Sequence, residues 1–334
     1  MNKILRGPSV PEIARRAGVG TATVDRVLNG RANVSAATAT RVLTALAELR
    51  QPKAEKQRRI TVLSESGDSF NRSLEDAVAA VARRRQDLAF DVHTFSSMDV
   101  RILSLAQQIE RLSQGADGMI LVAREDPAIV RAARAVKRRG TPVVCLATDL
   151  PESCRHAFVG SNEFGAGAAA AGLIGDLLGK DGGDVLLIVC GDYLAAKDRE
   201  TGFRHVLEDL CPSVRIVERA DVRNDPEIAR AAVVAHIDRF GPPDAIYSIA
   251  GGNSGIGRAL QECELVGQVT FVGHELNSNS RLLLKAGQMT YLIARDQEQE
   301  VMLGISVLDS IFAGHPFSAR EERPARILSR HVGA

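Results

Sequence analysis

The chain has 334 residues, 45% of them hydrophobic and 25% charged, which is typical of a globular protein with two or three packed units. It has no apolar core of a secretory signal near its N-terminus and no apolar stretch of about 18 residues, so we expect a cytoplasmic protein without a membrane span. Its five dispersed cysteines, with no Cys-x-x-Cys pair and no histidine at metal-ligand spacing, predict free thiols and no metal site.

The net charge of +1 conceals an asymmetry between the two ends of the chain. Residues 1–59 contain twelve Lys or Arg and four Asp or Glu, a net charge of +8, so residues 60–334 carry −7. A small basic segment joined to a larger acidic one predicts that only the first segment contacts a polyanion.

Residues 1–50 show the pattern of three short helices. The first begins with a capping box, Ser9 with Glu12, and ends at Gly18; the second begins at Thr21, and the third is capped by Ser35. The apolar residues that can form a common core are Val10, Ile13, Ala17, Val19, Val24, Val27, Leu28, Val34, Val42, Leu46 and Leu49. The first two helices, joined by AGVG, predict a helix-turn-helix, and the polar residues 51–59 predict a basic linker.

The second helix of a helix-turn-helix enters the major groove of DNA. Thr21, Ala22 and Arg26 share one face of it. Arg26 can donate two hydrogen bonds to guanine, and Ala22 or the Thr21 methyl can touch a thymine methyl. Further DNA contacts are expected from Ser9, Thr23, Asn29, Arg31, Ser35 and Thr38.

The stretch VPEIARRAGVGTATVDRVLNGRANVSAATATRVLTALAEL resembles the DNA-binding headpiece of the lactose-repressor (LacI/GalR) family of bacterial transcription regulators. The features that match are AGV-x-x-x-TV-x-RVLNG and VS-x-x-T. The resemblance implies a homodimer that binds a near-palindromic double-stranded DNA operator.

Two features depart from the family pattern. Asp25 stands where the family commonly has serine, and its charge could pair with Arg26 or repel a phosphate. The linker lacks the leucine with which the family's hinge helix kinks DNA. Three interpretations of the linker remain open: its basic residues grip phosphates, the headpieces bind without a kink, or it is a disordered tether. The basic residues concerned are Arg50, Lys53, Lys56, Arg58 and Arg59.

From Ile60 onward, β-branched runs alternate with amphipathic helical segments. The runs are ITVLS, FDVHTF, GMILVA, PVVCLA, HAFVGS, DVLLIV, VRIVERA, AIYSIA, VTFVGH and MTYLIA. This alternation predicts an α/β fold with parallel, doubly wound sheets, and ten strands fit two sheets of about five better than one.

This larger part resembles periplasmic sugar-binding proteins and the repressor cores built like them. The resemblance implies two subdomains with three crossovers, near Asn162, Arg295 and Glu322. The first subdomain would comprise about 60–161 and 295–322, and the second about 162–294 and 323–334. Effector contacts are implied for Asp68, Phe70, Asp149, Asn162, Arg199, Asn253, Glu275 and Arg295.

The chemistry of these residues suits a carbohydrate-like effector. Asp149, Asn253 and Glu275 can bind hydroxyl groups. Arg199 and Arg295 would require a carboxylate or phosphate on the ligand, or an internal partner such as Glu275. We therefore expect a sugar, sugar acid or sugar phosphate, with the two anionic classes favoured.

Two other functions are considered. GGNSGIG (251–257) and YLAAK (193–197) are typical of short-chain dehydrogenases, but their order is reversed here and only 77 residues follow Gly257. A nucleoid protein that only binds DNA would leave the acidic part without a role. The sequence therefore predicts a ligand-responsive transcription repressor that needs neither catalytic residues nor a cofactor.

Overall fold

The computed structural model describes residues 8–31, 34–50, 57–191, 193–249 and 251–332. The chain forms two compact units, Met1–Gln57 and Arg58–Ala334. Most of the expected linker, including Lys53 and Lys56, lies outside the described residues.

The first unit is a three-helix headpiece. Its helices are α1 (Val10–Ala17), α2 (Thr21–Leu28) and α3 (Ala36–Arg50). The capping box at the start of α1 is confirmed, and α1 ends at Gly18 in the left-handed conformation, φ 63°. The buried core consists of Ile13, Ala14, Ala17, Val24, Val42 and Ala45. The predicted core positions Val10, Leu28 and Leu49 are wrong, because these side chains are exposed.

The second unit alternates strands and helices, as the sequence predicts. Its strands are β1 (Arg58–Ser66), β2 (Leu88–Ser96), β3 (Gly118–Val122), β4 (Val143–Leu146), β5 (Ala157–Ser161), β6 (Gly183–Val189), β7 (Val214–Asp221), β8 (Ala245–Ser248), β9 (Thr270–His274), β10 (Tyr291–Ala294), β11 (Arg320–Arg323) and β12 (Arg326–Leu328). Its helices are α4 (Asp68–Arg84), α5 (Ile102–Leu112), α6 (Pro127–Arg138), α7 (Glu163–Leu178), α8 (Leu194–Leu210), α9 (Pro226–Phe240), α10 (Asn253–Glu262), α11 (Ser278–Lys285) and α12 (Gln297–Ala313). Strand β1 begins at Arg58, two residues before the predicted start of the core.

The strands form two six-stranded sheets. Sheet 1 has the order β11-β5-β4-β3-β1-β2 and sheet 2 the order β12-β10-β9-β8-β6-β7. The pairings are parallel except for β12, which runs antiparallel to β10. Each sheet is covered on both faces, so strands such as β3 and β4 are fully buried and apolar along their length.

The chain passes between the sheets three times. It leaves sheet 1 after Ser161, returns after Ala294 and leaves again after Arg323. Helix α12 follows the second passage and packs on sheet 1 through Val301 and Ile305. Among the helices of the described ranges, none is both long and apolar enough to cross a membrane.

Candidate DNA-binding surface and ligand cleft

Helix α2 presents a polar face to solvent and an apolar face to the headpiece core. Thr21, Ala22, Arg26 and Asn29 are exposed, whereas Val24 is buried against α1 and α3. Helical spacing puts the exposed residues on one side. The predicted base contacts are therefore accessible together, and Thr23 is half-buried beside them.

Asp25 lies on this face between Thr21 and Asn29, and its carboxylate binds two of the predicted DNA contacts. Asn29 donates its side-chain N–H to the Asp25 carboxylate at 2.8 Å, and the Arg31 guanidinium lies 3.5 Å from the other carboxylate oxygen. The partner suggested by the sequence, Arg26, takes no part in this pair. Gly30, with φ 63°, turns the chain so that Arg31 returns toward α2.

Three other predicted DNA contacts make hydrogen bonds at helix starts. Ser9 donates its hydroxyl to Glu12 at 2.6 Å, and the Ser35 and Thr38 hydroxyls lie 2.9 Å apart. These bonds fix the helix N-termini and leave the hydroxyls at the surface.

The second unit has a cleft at the carboxyl ends of both sheets. The strand order reverses between β1 and β3 in sheet 1 and between β6 and β8 in sheet 2. Loops diverge at such switch points and leave a crevice, which is where open parallel sheets bind ligands. Two cavities, of about 60 Å³ and about 170 Å³, lie in this crevice.

The smaller, inner cavity contains four predicted effector residues. They are Phe70, Arg199, Glu275 and Arg295. Thr148 and Cys190 also line this cavity. Burial raises the pKa of the Cys190 thiol to about 12, so this thiol is protonated at neutral pH.

The two arginines of the inner cavity are compensated within the protein. Arg199 donates to Glu163 at 2.6 Å, and Arg295 binds Glu300 through two hydrogen bonds of 3.0 Å. Arg295 also lies 3.1 Å from Glu163. The internal partners are thus mainly Glu163 and Glu300, rather than Glu275 as the sequence suggests. These carboxylates balance both arginines, so a negative charge on the ligand is not needed.

Three residues that the sequence analysis does not assign to the cleft join its two sides. Tyr193, which precedes α8, donates its phenol O–H to the Glu65 carboxylate at 2.8 Å, and Arg124 also binds Glu65 and lies over the Tyr193 ring. Glu65 is the penultimate residue of β1, and Arg124 comes just after β3. In the sequence, Glu65 and Arg124 each directly follow an apolar run, and this pattern could have indicated their place in the cleft.

Most of the side chains that line the outer cavity are polar. Asp68, Asn253 and Glu275 are the predicted residues in it. Asn277 donates to Ser69 at 2.6 Å across the cavity, which is a second bond between the subdomains. The other polar side chains of the lining are Arg72, Ser96, Asn224, Asp225, Ser254 and Asn279.

Two buried oxygen atoms in the cleft have no hydrogen-bond partner among the described residues. They are Oγ1 of Thr148 in the inner wall and Oδ1 of Asn253 in the outer wall. Leaving such an atom unpaired costs about 1 to 3 kcal/mol. Both atoms are therefore suited to a ligand that brings hydroxyl groups.

Backbone strain is concentrated in the same walls. Ala147, Asn224 and Glu275 all line the inner cavity and have φ values of 70°, 62° and 72°. Non-glycine residues rarely adopt this conformation, and where they do it is commonly at functional sites. Burial raises the pKa of Glu275, while Arg199 and Arg295 act in the opposite direction.

Asp149 and Asn162, two predicted effector contacts, do not line either cavity. The Asp149 carboxylate is buried against Arg155, and Arg320 donates to it at 3.0 Å. Asn162 is exposed and caps α7 by accepting from the Gly165 N–H at 2.8 Å. Thr148 lines the inner cavity in the place that the sequence predicts for its neighbour Asp149.

The two dehydrogenase-like motifs contribute turns, close packing and a contact across the cleft. Gly252, with φ 92°, turns the chain into α10. A Cβ on Gly255 would lie 1.7 Å from the Pro226 carbonyl oxygen, so this glycine permits close packing of α10 on α9. Tyr193 binds Glu65, while Lys197 is exposed and takes no part in that contact.

This geometry defines the class of protein: a helix-turn-helix headpiece joined to a two-subdomain core with a ligand cleft is a DNA-binding regulator. Residues 60–316 match the family model of the periplasmic binding protein domain, and residues 9–50 match that of the bacterial regulatory proteins of the lacI family. The chain belongs to the periplasmic binding protein domain family, and its headpiece makes it a transcription regulator of the lacI family.

Solved structures with a similar core have low sequence identity to this chain. A glucose-galactose binding protein from Geobacillus stearothermophilus is 16% identical with a TM-score of 0.73, over 82% of this chain and 98% of that one. A solute-binding protein from Burkholderia graminis, in complex with D-arabinose, is 17% identical with a TM-score of 0.76, over 84% and 98%. At such identities the likeness establishes the fold. No curated protein matches the chain.

Proposed function

We propose that this protein is a transcription repressor whose affinity for its operator changes when a neutral sugar or similar polyol occupies the cleft. The observation that carries the proposal is the pairing of the inner cavity's arginines, Arg199 and Arg295, with the protein's own glutamates, beside oxygen atoms that can accept from hydroxyl groups and have no partner among the described residues. Binding alone performs this function, and no covalent step is required.

The ion pairs around the inner cavity favour a neutral effector over an anionic one. Arg199 and Arg295 are already bound by Glu163 and Glu300, and Arg124 by Glu65. An anionic ligand would have to displace these carboxylates or approach them, which costs energy in a buried site. This reverses the preference for a sugar acid or phosphate that the sequence alone suggests.

The groups that remain available in the cleft favour a polyol. Thr148 and Asn253 offer buried oxygens, and Glu275 offers a carboxylate that lines both cavities. Hydroxyl groups can donate to all three. The D-arabinose in the Burkholderia graminis protein supports the same class of ligand.

The headpiece supports a dimeric arrangement on DNA. A single recognition helix contacts few base pairs, so two headpieces of a homodimer would bind successive major-groove half-sites of a near-palindromic operator. The effector would act through the difference between its affinities for the DNA-competent state and the other state.

A thermal-shift screen tests the ligand class. The panel contains neutral aldoses and polyols, the matching sugar acids and the matching sugar phosphates. We expect stabilisation by a neutral member, since a ligand present at about 100 times its Kd adds about 2.7 kcal/mol. Glu275→Gln should reduce the shift, and Glu152→Gln, at an exposed site outside the cleft, should not.

The outcomes separate the parts of the proposal. Stabilisation by anionic members alone would show that the neutral class is wrong. Stabilisation by a neutral member without any change in operator affinity would show that the cleft does not control DNA binding.

A further inference from the structure

The pair of Asp25 with Asn29 and Arg31 is a feature of the DNA-reading surface that base recognition does not explain. Asp25 is half-exposed on the face of α2 that carries Arg26. Its two carboxylate oxygens are directed to Asn29 (2.8 Å) and Arg31 (3.5 Å). Both partners are donors of the kind that bind phosphates.

We infer that Asp25 lowers the affinity of the headpiece for DNA of any sequence. This rests on the DNA-binding role of the first unit. The carboxylate acts in two ways: it competes with phosphates for Asn29 and Arg31, and it places a negative charge beside the phosphates themselves.

The surrounding charges make this effect specific to Asp25. The headpiece and linker carry a net charge of +8, which by itself favours indiscriminate binding to DNA. Of the acidic residues in the described part of the headpiece, Glu12 is held by the capping box on α1 and Glu48 pairs with Arg16 at 2.7 Å. Asp25 alone among them lies on the recognition helix.

The size of the effect follows from exposed electrostatics. Breaking an exposed ion pair costs little free energy, and the repulsion between one exposed negative charge and a nearby phosphate is of similar small size in water. Together they predict that removing the charge tightens binding to arbitrary DNA about three- to tenfold per headpiece. A released Arg31 adds one phosphate contact, which steepens the dependence of log K on log salt by about 0.9.

The experiment uses the full chain, a labelled duplex of arbitrary sequence and a series of NaCl concentrations, read by fluorescence anisotropy. Asp25→Asn keeps a side chain that can bind Asn29 but removes the charge. We expect tighter binding and a steeper salt slope, and the double variant with Arg31→Ala should return the slope to that of the unaltered protein.

Glu48→Gln is the matched control, because it removes one negative charge and one exposed ion pair from the same unit, away from α2. An equal increase in duplex affinity in this control would overturn the inference, since the change in net charge would then explain the result. Unchanged affinity and slope in Asp25→Asn would also overturn it. If the unaltered protein bound no duplex at any salt concentration, the DNA-binding role itself would fail. Circular dichroism verifies that each variant keeps its helices.

Discussion

Tyr193 and Glu65 belong to different subdomains and meet across the cleft. The phenol O–H is 2.8 Å from a carboxylate that is buried beneath it. A bond of this kind exists only when the cleft is closed, so it contributes to the closed state and is absent from the open one. The Asn277 to Ser69 bond has the same property.

We expect Tyr193→Phe to weaken effector binding about tenfold, because a hydrogen bond to a charged group contributes roughly 1.5 to 3 kcal/mol and Arg124 still holds Glu65. Isothermal titration with the ligand found by the screen measures this. Tyr291→Phe is the control, since the Tyr291 hydroxyl has no hydrogen bond among the described residues. Equal affinities in the two variants would show that the Tyr193 bond does not contribute to closure.

His274 gives a second residue-scale prediction. Its Nε2 lies 2.9 Å from the Tyr247 hydroxyl, and its pKa is held well below the usual value by burial and then by Arg199 and Arg295. As the pH falls below about 6.5, this histidine therefore binds a proton in the unfolded chain but not in the folded one. The free energy of unfolding then decreases by up to about 1.4 kcal/mol per pH unit.

Denaturant unfolding from about pH 7.5 to about pH 5.5 measures this loss of stability. We expect a smaller loss in His274→Gln than in the unaltered protein. His205→Gln removes an exposed histidine and serves as the control. A loss that is the same in His274→Gln and the unaltered protein would contradict the assignment.

The residues of the cleft show how far a sequence pattern can locate a site. A polar residue after a buried strand can be assigned to the sheet edge, and Glu275 and Arg295 do line the cavities there. The direction of the side chain depends on the turn that follows. After β4 the chain turns at Ala147, φ 70°, which puts Thr148 in the cavity and Asp149 against Arg155.

At the scale of elements, apolar content explains which strands the sequence could predict. The ten runs of β-branched residues correspond to β1 through β10, and even β2 and β7, which lie at sheet edges, contribute apolar side chains to the core clusters. Strands β11 and β12 have the sequences REER and RIL and lie at sheet edges. The predicted sheets of about five strands therefore each gain one edge strand.

Helices α9 and α10 pack closely because Gly255 has no side chain. We expect Gly255→Ala to lower the free energy of unfolding by about 1 to 3 kcal/mol or more, because its Cβ would overlap the Pro226 carbonyl and separate α10 from α9. Gly172→Ala, inside α7 with no atom within 4 Å of the new Cβ, should be neutral or stabilising by up to about 1 kcal/mol. Denaturant unfolding of both variants measures the difference, and equal stabilities would show that the close approach carries no energy.

At the scale of the whole molecule, the two units differ in size and in core. The described part of the headpiece has six buried apolar residues, whereas each sheet of the second unit packs two large clusters. Small units bury a smaller share of their surface and are correspondingly less stable. The headpiece is therefore expected to unfold at the lower temperature.

Calorimetry of the full chain should show two transitions. Duplex DNA should raise the lower one and a cleft ligand the upper one, because each ligand stabilises the unit that binds it. A single transition that both ligands shift equally would contradict separate unfolding.

The interleaved path of the chain also has a consequence for biosynthesis. Sheet 1 starts at Arg58, but the helix that covers part of its apolar face, Gln297–Ala313, and its last strand, Arg320–Arg323, are translated only after most of sheet 2. A ribosome that stops before Gln297 releases a finished headpiece attached to an uncovered sheet. Such truncated products would expose Ile120 and Val144 to water, which makes them targets for proteases and chaperones before they can compete for the operator.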